Sequence, residues 1–235
     1  MLKGFRIKEV RLATVLVSEE NRLEAEYYIT DECTFNCIKG KDIESFSQYG
    51  TSKELNEEGI GYPVLRLNEF DSFFISEPAK FCSLLDKDTY ESLKLKQNDV
   101  MICRTNGNPK YVGKAAIVPR DYEYAFASYL YRIRPKRDVI NPATLVTFLN
   151  SKYGRKEIER YAMVGNQTNF SPAKFRQISI PRLSKAINDE IEGIVYTAFN
   201  FSEKAKLLYI EAENVIVHEL CINEINNDAE NVNIK

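Results

Sequence analysis

The chain has 235 residues, a net charge of −2, 44% hydrophobic residues and 28% charged ones. That balance allows one ordinary domain with an appendage, or two small domains, and excludes global disorder. No run of about 18 apolar residues occurs, and Met1-Leu2-Lys3-Gly4-Phe5-Arg6 lacks a signal peptide's apolar core, so the expectation is a cytoplasmic protein with no membrane span. The five cysteines, Cys33, Cys37, Cys82, Cys103 and Cys221, are odd in number and scattered, which suggests free thiols rather than a disulfide framework. Cys33 and Cys37 lie four apart, but no second Cys/His pair follows at zinc spacing, so no metal site is expected.

In chain order, the first hundred residues read as mixed strand and loop. Residues 10–17 and 22–29 carry apolar and β-branched side chains, and Tyr62–Leu67 follows a Gly59-Ile60-Gly61 break and reads as a strand. Asp86–Leu95 suggests a short helix or turn. Asp99–Cys103 is an apolar run suited to a buried strand, ending in the dense turn signal Arg104-Thr105-Asn106-Gly107-Asn108-Pro109. Tyr111–Val118 and Ala125–Ile133 read as two more strands. Tyr129, Tyr131 and Ile133 fall on one face of the latter, with Leu130, Arg132 and Arg134 on the other. The period then changes. Asn141-Pro142 starts a helix, with Asn as N-cap. Gly154 marks an interruption, a second helical stretch covers Arg155–Met163, Val164–Phe170 is a loop, and Ile178–Pro181 is a closing strand.

From Leu183 one rhythm dominates. Ile187, Ile194, Phe201, Leu208, Val215 and Ile222 are seven apart, with Ile191, Ala198, Ala205 and Ala212 four residues after the first four of them. At about 1.5 Å per residue, a helix from Ala186 to Glu219 would span roughly 50 Å. Such a helix cannot cover its own apolar stripe and needs a partner helix. The acidic, Asn-rich residues 223–235 suggest a disordered tail.

Charge is segregated along the chain. Residues 101–185 hold 16 Lys and Arg against 5 Asp and Glu, a net of +11, while the remainder holds 16 against 29, a net of −13. A polyanion-facing middle section is one reading, and a solvated face is the other. The single histidine, His218, sits late in the long helix, so His-dependent catalysis and multi-His metal sites have little support. Gly-rich nucleotide-binding loops are absent from the sequence. Asn108-Pro109-Lys110-Tyr111 superficially resembles the Asn/Asp-Pro-Pro-Tyr/Phe loop of adenine methyltransferases. A lysine replaces the second proline, and no Gly-rich cofactor loop precedes it.

Two polar turns lie in the positive section. Arg104, Asn106, Asn108, Lys110 and Tyr111 share the first, and Gln167 and Asn169 the second. Arg can read guanine, and Asn or Gln adenine, through paired hydrogen bonds in the major groove. Lys152, Arg155, Lys174 and Arg176 nearby suit phosphate contacts. The bland alternatives are ordinary turns and a solvated basic face.

With these segments in order, the layout resembles the specificity subunits of type I restriction–modification enzymes and related subunits of some type II systems. The resemblance runs from about Arg22 to Leu220. Its pieces are Arg22–Tyr28, Gly61–Asn68, Lys96–Arg104, Val112–Val118, Gly165–Ser171 with Ile178–Pro181, and Leu207–Glu213. After Ile180-Pro181 the family's second proline and Glu-Gln pair are replaced by Arg182-Leu183-Ser184-Lys185, which puts the helix start in question.

The resemblance implies an α+β fold: a mixed-sheet target-recognition domain over 1–182, then one long coiled-coil-type spacer helix over 183–222. A full subunit of the family carries two of each, so this chain corresponds to half a subunit. It implies no catalytic residues here, binding to double-stranded DNA at a bipartite site, and docking of a DNA methyltransferase that carries S-adenosylmethionine. A restriction/translocase subunit is a further implied partner. Dimerisation would use the seam Ile187, Ile191, Ile194, Ala198, Phe201, Ala205, Leu208, Ala212 and Val215. A self-sufficient nuclease or methyltransferase, and a coiled-coil assembly protein without a DNA role, are the competing expectations.

Overall fold

The computed structural model describes residues 7–16, 23, 25–29, 36–162 and 168–220. The chain divides into two compact units, Met1–Glu192 and Gly193–Lys235.

The first unit opens with two short helices, α1 (Leu12–Leu16) and α2 (Ala25–Ile29). Strand-like composition is overridden here by local bonding and packing. Thr14 and Val15 N–H groups both turn back to the Arg11 carbonyl, at 2.8 and 3.3 Å. In α2, the Tyr27 ring packs edge-on against Tyr28 at 4.9 Å and against Tyr161 at 5.7 Å.

The chain continues through β1 (Cys37–Lys39), α3 (Gly40–Ile43), β2 (Glu44–Tyr49), β3 (Tyr62–Leu65), β4 (Phe70–Asp71), β5 (Phe74–Ile75) and β6 (Phe81–Cys82). Next come α4 (Lys87–Leu93), β7 (Val100–Cys103), β8 (Thr105–Asn106), β9 (Ala115–Ile117), β10 (Ala125–Phe126) and β11 (Leu130–Pro135). Then follow α5 (Pro142–Asn150), α6 (Lys152–Tyr161), β12 (Thr168–Asn169), α7 (Pro172–Phe175), β13 (Ser179–Pro181) and α8 (Lys185–Glu219).

Local chemistry explains most boundaries. Asp86 caps α4, accepting from the Thr89 N–H at 2.8 Å, and Asn141 caps α5, accepting from the Thr144 N–H at 2.8 Å. The interruption expected at Gly154 falls instead at Ser151. Its N–H closes α5 on the Thr147 and Phe148 carbonyls, and its hydroxyl caps α6 by accepting from the Gly154 N–H at 3.2 Å. Gly154 lies inside α6 because a Cβ there would sit 2.0 Å from the Phe148 oxygen.

A six-stranded mixed sheet, in the order β2-β11-β7-β9-β5-β4, forms the centre. All its pairs are antiparallel except β5–β9. A second sheet, β10-β3-β6, and two short ladders, β1–β13 and β8–β12, complete the strands. The central strands are covered on both faces. Every residue of β7 is buried, as are Ala115–Ile117 and Leu130–Ile133. One core joins Val64, Leu65, Phe70, Leu95, Met101, Ala116, Phe126 and Leu130. Burying a side chain such as Phe126 fully contributes about 1.5–3 kcal/mol.

A charged cluster is built into the same layer. The carboxylate of Asp99, fully buried, accepts from the Lys96 N–H at 3.0 Å, from Arg132 Nη1 at 3.2 Å and from Arg134 Nε at 2.6 Å. Arg132 is also buried. It donates to the Lys94 and Ser92 carbonyls at 2.6 and 2.5 Å and to Gln48 Oε1. The strand expected over Ala125–Ile133 is split by a turn at Ser128-Tyr129 into β10 and β11, so Tyr129 leaves the expected face while the alternation continues within β11. Arg132 and Arg134 share the Asp99 side, and Tyr131 sits against Tyr49 of β2 with ring centroids 6.4 Å apart.

Cys82 and Cys103 are free and buried. Cys37 is disulfide-bonded, which corrects the expectation of free thiols throughout. Among the described residues, no three His, Cys, Asp or Glu side chains are grouped to hold a metal ion, and no helix is long and apolar enough to cross a membrane.

Helix α8 runs for 35 residues. Its first turns belong to the first unit. There, Asn141 Nδ2 donates to the Asn188 carbonyl at 2.6 Å, and Arg137 pairs with Glu192 at 2.9 Å. The heptad seam is open along most of its length. Ile187, Ile194, Ala198, Phe201, Leu208, Ala212 and Val215 are exposed, and Ile191 and Ala205 are half-buried. The tail expected beyond residue 222 lies outside the described residues.

Candidate nucleic-acid interface

Where β7 leaves the sheet, Arg104 begins the first polar turn. Its backbone is held on both sides. The N–H donates to the Tyr129 carbonyl at 2.8 Å, and its carbonyl accepts from the Phe170 N–H at 2.8 Å. The chain then enters β8, which pairs antiparallel with β12, placing Asn106 opposite Thr168 and Thr105 opposite Asn169. The two polar turns, over sixty residues apart in sequence, therefore meet in one ladder. Asn169 is half-buried beside Arg104 and Asn106, while Gln167 lies outside the described residues.

Past β8 the turn is self-bonded. Asn106 Oδ1 accepts from the Asn108 N–H at 2.8 Å, and Asn108 Oδ1 accepts from the Lys110 N–H at 3.1 Å. These side chains mimic backbone and shape the loop. Each keeps its amide NH2 and one carbonyl lone pair for an outside partner. Pro109–Tyr111 forms a 3-10 turn that leaves Lys110 and Tyr111 exposed. Gly113 then returns the chain to the sheet with φ of 76°, and its N–H donates to the Cys103 carbonyl at 2.8 Å. Tyr111 was expected in a strand. The turn displaces that strand's start to Ala115.

Of the four candidate phosphate ligands, Lys152 lies open to solvent. It is exposed at the start of α6, with Nζ 5.0 Å from the Tyr153 ring centroid. The other three are corrected. Lys174 is buried, so a phosphate cannot reach it. Arg155 braces the first turn, donating to the Val112 carbonyl at 2.7 Å and the Lys110 carbonyl at 3.2 Å. Burial draws its pKa below the ordinary arginine value, partly offset by Glu159. Arg176 forms a two-pronged ion pair with Glu44, at 3.0 and 2.8 Å, and also donates to Ser47 Oγ at 3.2 Å. The Glu44 hydrogen bond raises its pKa.

Sequence reasoning missed Tyr49 and Tyr129. Tyr49, on β2, lies under the Arg104 guanidinium, 5.1 Å from ring centroid to Cζ. Tyr129 supplies the carbonyl that fixes Arg104, and the residue is 61% exposed. Tyr49 ends β2 and Tyr129 lies in the turn before β11, both exposed, and no local sequence signal marks either as a partner of Arg104. Ser47 and Tyr49, two apart on β2, face Arg176 and Arg104 respectively. The result is a partly exposed band of aromatic, amide and guanidinium groups. It offers hydrogen-bond donors and stacking faces, a chemistry suited to base edges and phosphates.

No family model matches the chain. Over 91 residues, 39% of its length, it is 31% identical to the specificity subunit of the type I restriction enzyme StySPI from Salmonella potsdam. Over 91 residues it is 30% identical to the specificity subunit of the type I restriction enzyme EcoKI from Escherichia coli K12. Each matched stretch is 19% of the relative's own length. In fold, the chain is similar to the S subunit of a type I restriction–modification system from M. genitalium. The TM-score is 0.50 at 12% identity, covering 83% of this chain and 48% of that one. It is equally similar to the type IIG restriction endonuclease BpuSI, with a TM-score of 0.50 at 10% identity over 68% of this chain and 26% of that one. The mixed sheets followed by a long C-terminal helix are the α+β architecture the sequence resemblance implied.

Proposed function

We infer that this chain, related in sequence to type I restriction specificity subunits, is itself a DNA-reading specificity subunit of a restriction–modification system. The observation that carries this reading is the 91-residue similarity to two such subunits, joined to a fold likeness to a third. The interface chemistry supports it independently. A recognition domain over 1–182 presents Arg104, Asn106, Asn108, Lys110, Tyr111 and Asn169, together with Gln167, to the edges of bases in double-stranded DNA, and Lys152 to phosphate. The chain does no chemistry. A DNA methyltransferase partner carries S-adenosylmethionine, and a restriction/translocase subunit is the second partner in the cytoplasmic complex.

The spacer helix over 183–222 pairs with its counterpart in a second copy and sets the distance between two half-sites. The exposed seam of α8, with Phe201 at 69% and Leu208 at 52% exposure, supports this part of the reading. The same seam would serve a coiled-coil assembly protein without a DNA role. The test is selection of binding sites from a randomised duplex pool by the chain together with its methyltransferase. Enrichment of one bipartite sequence, with binding that weakens steeply as salt rises, is expected. Retention of all sequences alike, or of none, would leave the assembly reading in possession.

A further inference from the structure

The basic residues of the positive section differ sharply in what they touch. Arg132 and Arg134 close on buried Asp99, Arg137 pairs with Glu192, Arg155 grips two backbone carbonyls, and Arg176 is held by Glu44. Like that of exposed Arg182, the Arg104 guanidinium has no hydrogen bond or ion pair among the described residues. It lies instead over the face of Tyr49. The side chain is half-buried, and Nε is enclosed without an acceptor. The terminal Nη1 and Nη2 atoms are not enclosed in this way, so the open edge of the guanidinium is its two-pronged end.

Three constraints fix that edge. The backbone is tied to Tyr129 and Phe170, the side chain's inner nitrogen is enclosed, and the guanidinium carbon lies over the Tyr49 ring, 5.1 Å from its centroid. A phosphate ligand needs charge and reach but no particular plane. A planar fork held in one orientation is what paired recognition of two adjacent acceptors requires. In the major groove, guanine presents that pair as O6 and N7. We propose that Arg104 reads a guanine in each half-site through Nη1 and Nη2, and that Tyr49 is the positioning residue that holds the fork in plane. This assignment rests on the specificity reading above and names the base that one residue of that site recognises.

The test is the methylation motif produced in cells by the complete system, with the wild-type chain, Arg104→Lys, Tyr49→Phe or Tyr49→Leu, read base by base. Wild type should yield a motif with an invariant guanine in each half. Arg104→Lys keeps the charge and loses the fork, so preference for that one guanine should fall roughly 10- to 100-fold while the other positions stay unchanged. Tyr49→Phe keeps the ring and should keep the motif. Tyr49→Leu should relax the same position as Arg104→Lys and no other. Weakened methylation at all positions alike, with the motif unrelaxed, would make Arg104 a phosphate ligand and overturn the assignment. So would an unaltered motif in Arg104→Lys, or relaxation at an A·T pair. If the wild-type chain directs no motif at all, the specificity reading fails and the assignment falls with it. A wild-type motif that the variants leave intact removes the assignment alone.

Discussion

Arg132 on β11 and Arg104 at the end of β7 belong to neighbouring strands of one sheet, yet their surroundings are opposite. Arg132 is buried among Asp99, Gln48 and two backbone carbonyls, while the Arg104 guanidinium has an aromatic face and no acceptor among the described residues. The contrast shows how little a count of charges along the sequence says about the surface. Several of the cations that make residues 101–185 positive hold the fold together. Those left for a polyanion are fewer, and they include Arg104, Lys110 and Lys152, beside Tyr49, Tyr111 and Tyr153.

Substitutions on the two sides of this contrast should behave differently. Asp99→Ala leaves Arg132 as an uncompensated buried charge and should destabilise the first unit by about 3–5 kcal/mol in urea unfolding. A loss under 1 kcal/mol would mean that the cluster relaxes into solvent. Gly113→Ala combines a left-handed φ with a Cβ only 2.6 Å from Ile158 Cγ2. It should cost about 1–3 kcal/mol and disturb the first turn along with stability. Asn141→Ala removes the α5 cap and its bond to the Asn188 carbonyl, and a loss of about 1–2 kcal/mol is expected by thermal unfolding. Arg104→Ala, by contrast, should change stability by no more than about 0.5 kcal/mol, because its backbone bonds to Tyr129 and Phe170 survive the change and its guanidinium is bonded to no acceptor among the described residues. Lys152→Glu should leave stability equally untouched, weaken binding to all DNA sequences alike and flatten the salt dependence of that binding. If Arg104→Ala proved as costly as Asp99→Ala, the distinction between structural and available arginines would collapse.

Much of the architecture was legible because it rests on local signals. The buried run Val100–Cys103, the Asn141-Pro142 helix start and the heptad period from Ile187 onward each carry their own pattern. The errors have one physical cause, which is that tertiary contacts decide between locally acceptable conformations. Residues 25–29 form a helix because Tyr27 docks on α6. Gly154 continues a helix because the backbone of α5 passes too close for any side chain. The candidate site was half legible. Residue types marked both polar turns, but the ladder that joins Asn106 to Thr168 is a long-range pairing that no local window contains. Likewise, nothing near Lys174 in sequence signals its burial, and nothing near Arg176 signals Glu44 as its partner. Tyr49 lies more than fifty residues from Arg104, so its role as a platform appears only when the strands are assembled.

The specificity reading is tested most directly by comparing the methylome of the source cell with and without this gene, using single-molecule sequencing. The account predicts that one bipartite methylated motif disappears, with two mirror-image halves if two copies pair through α8. A methylome unchanged by the deletion would contradict it.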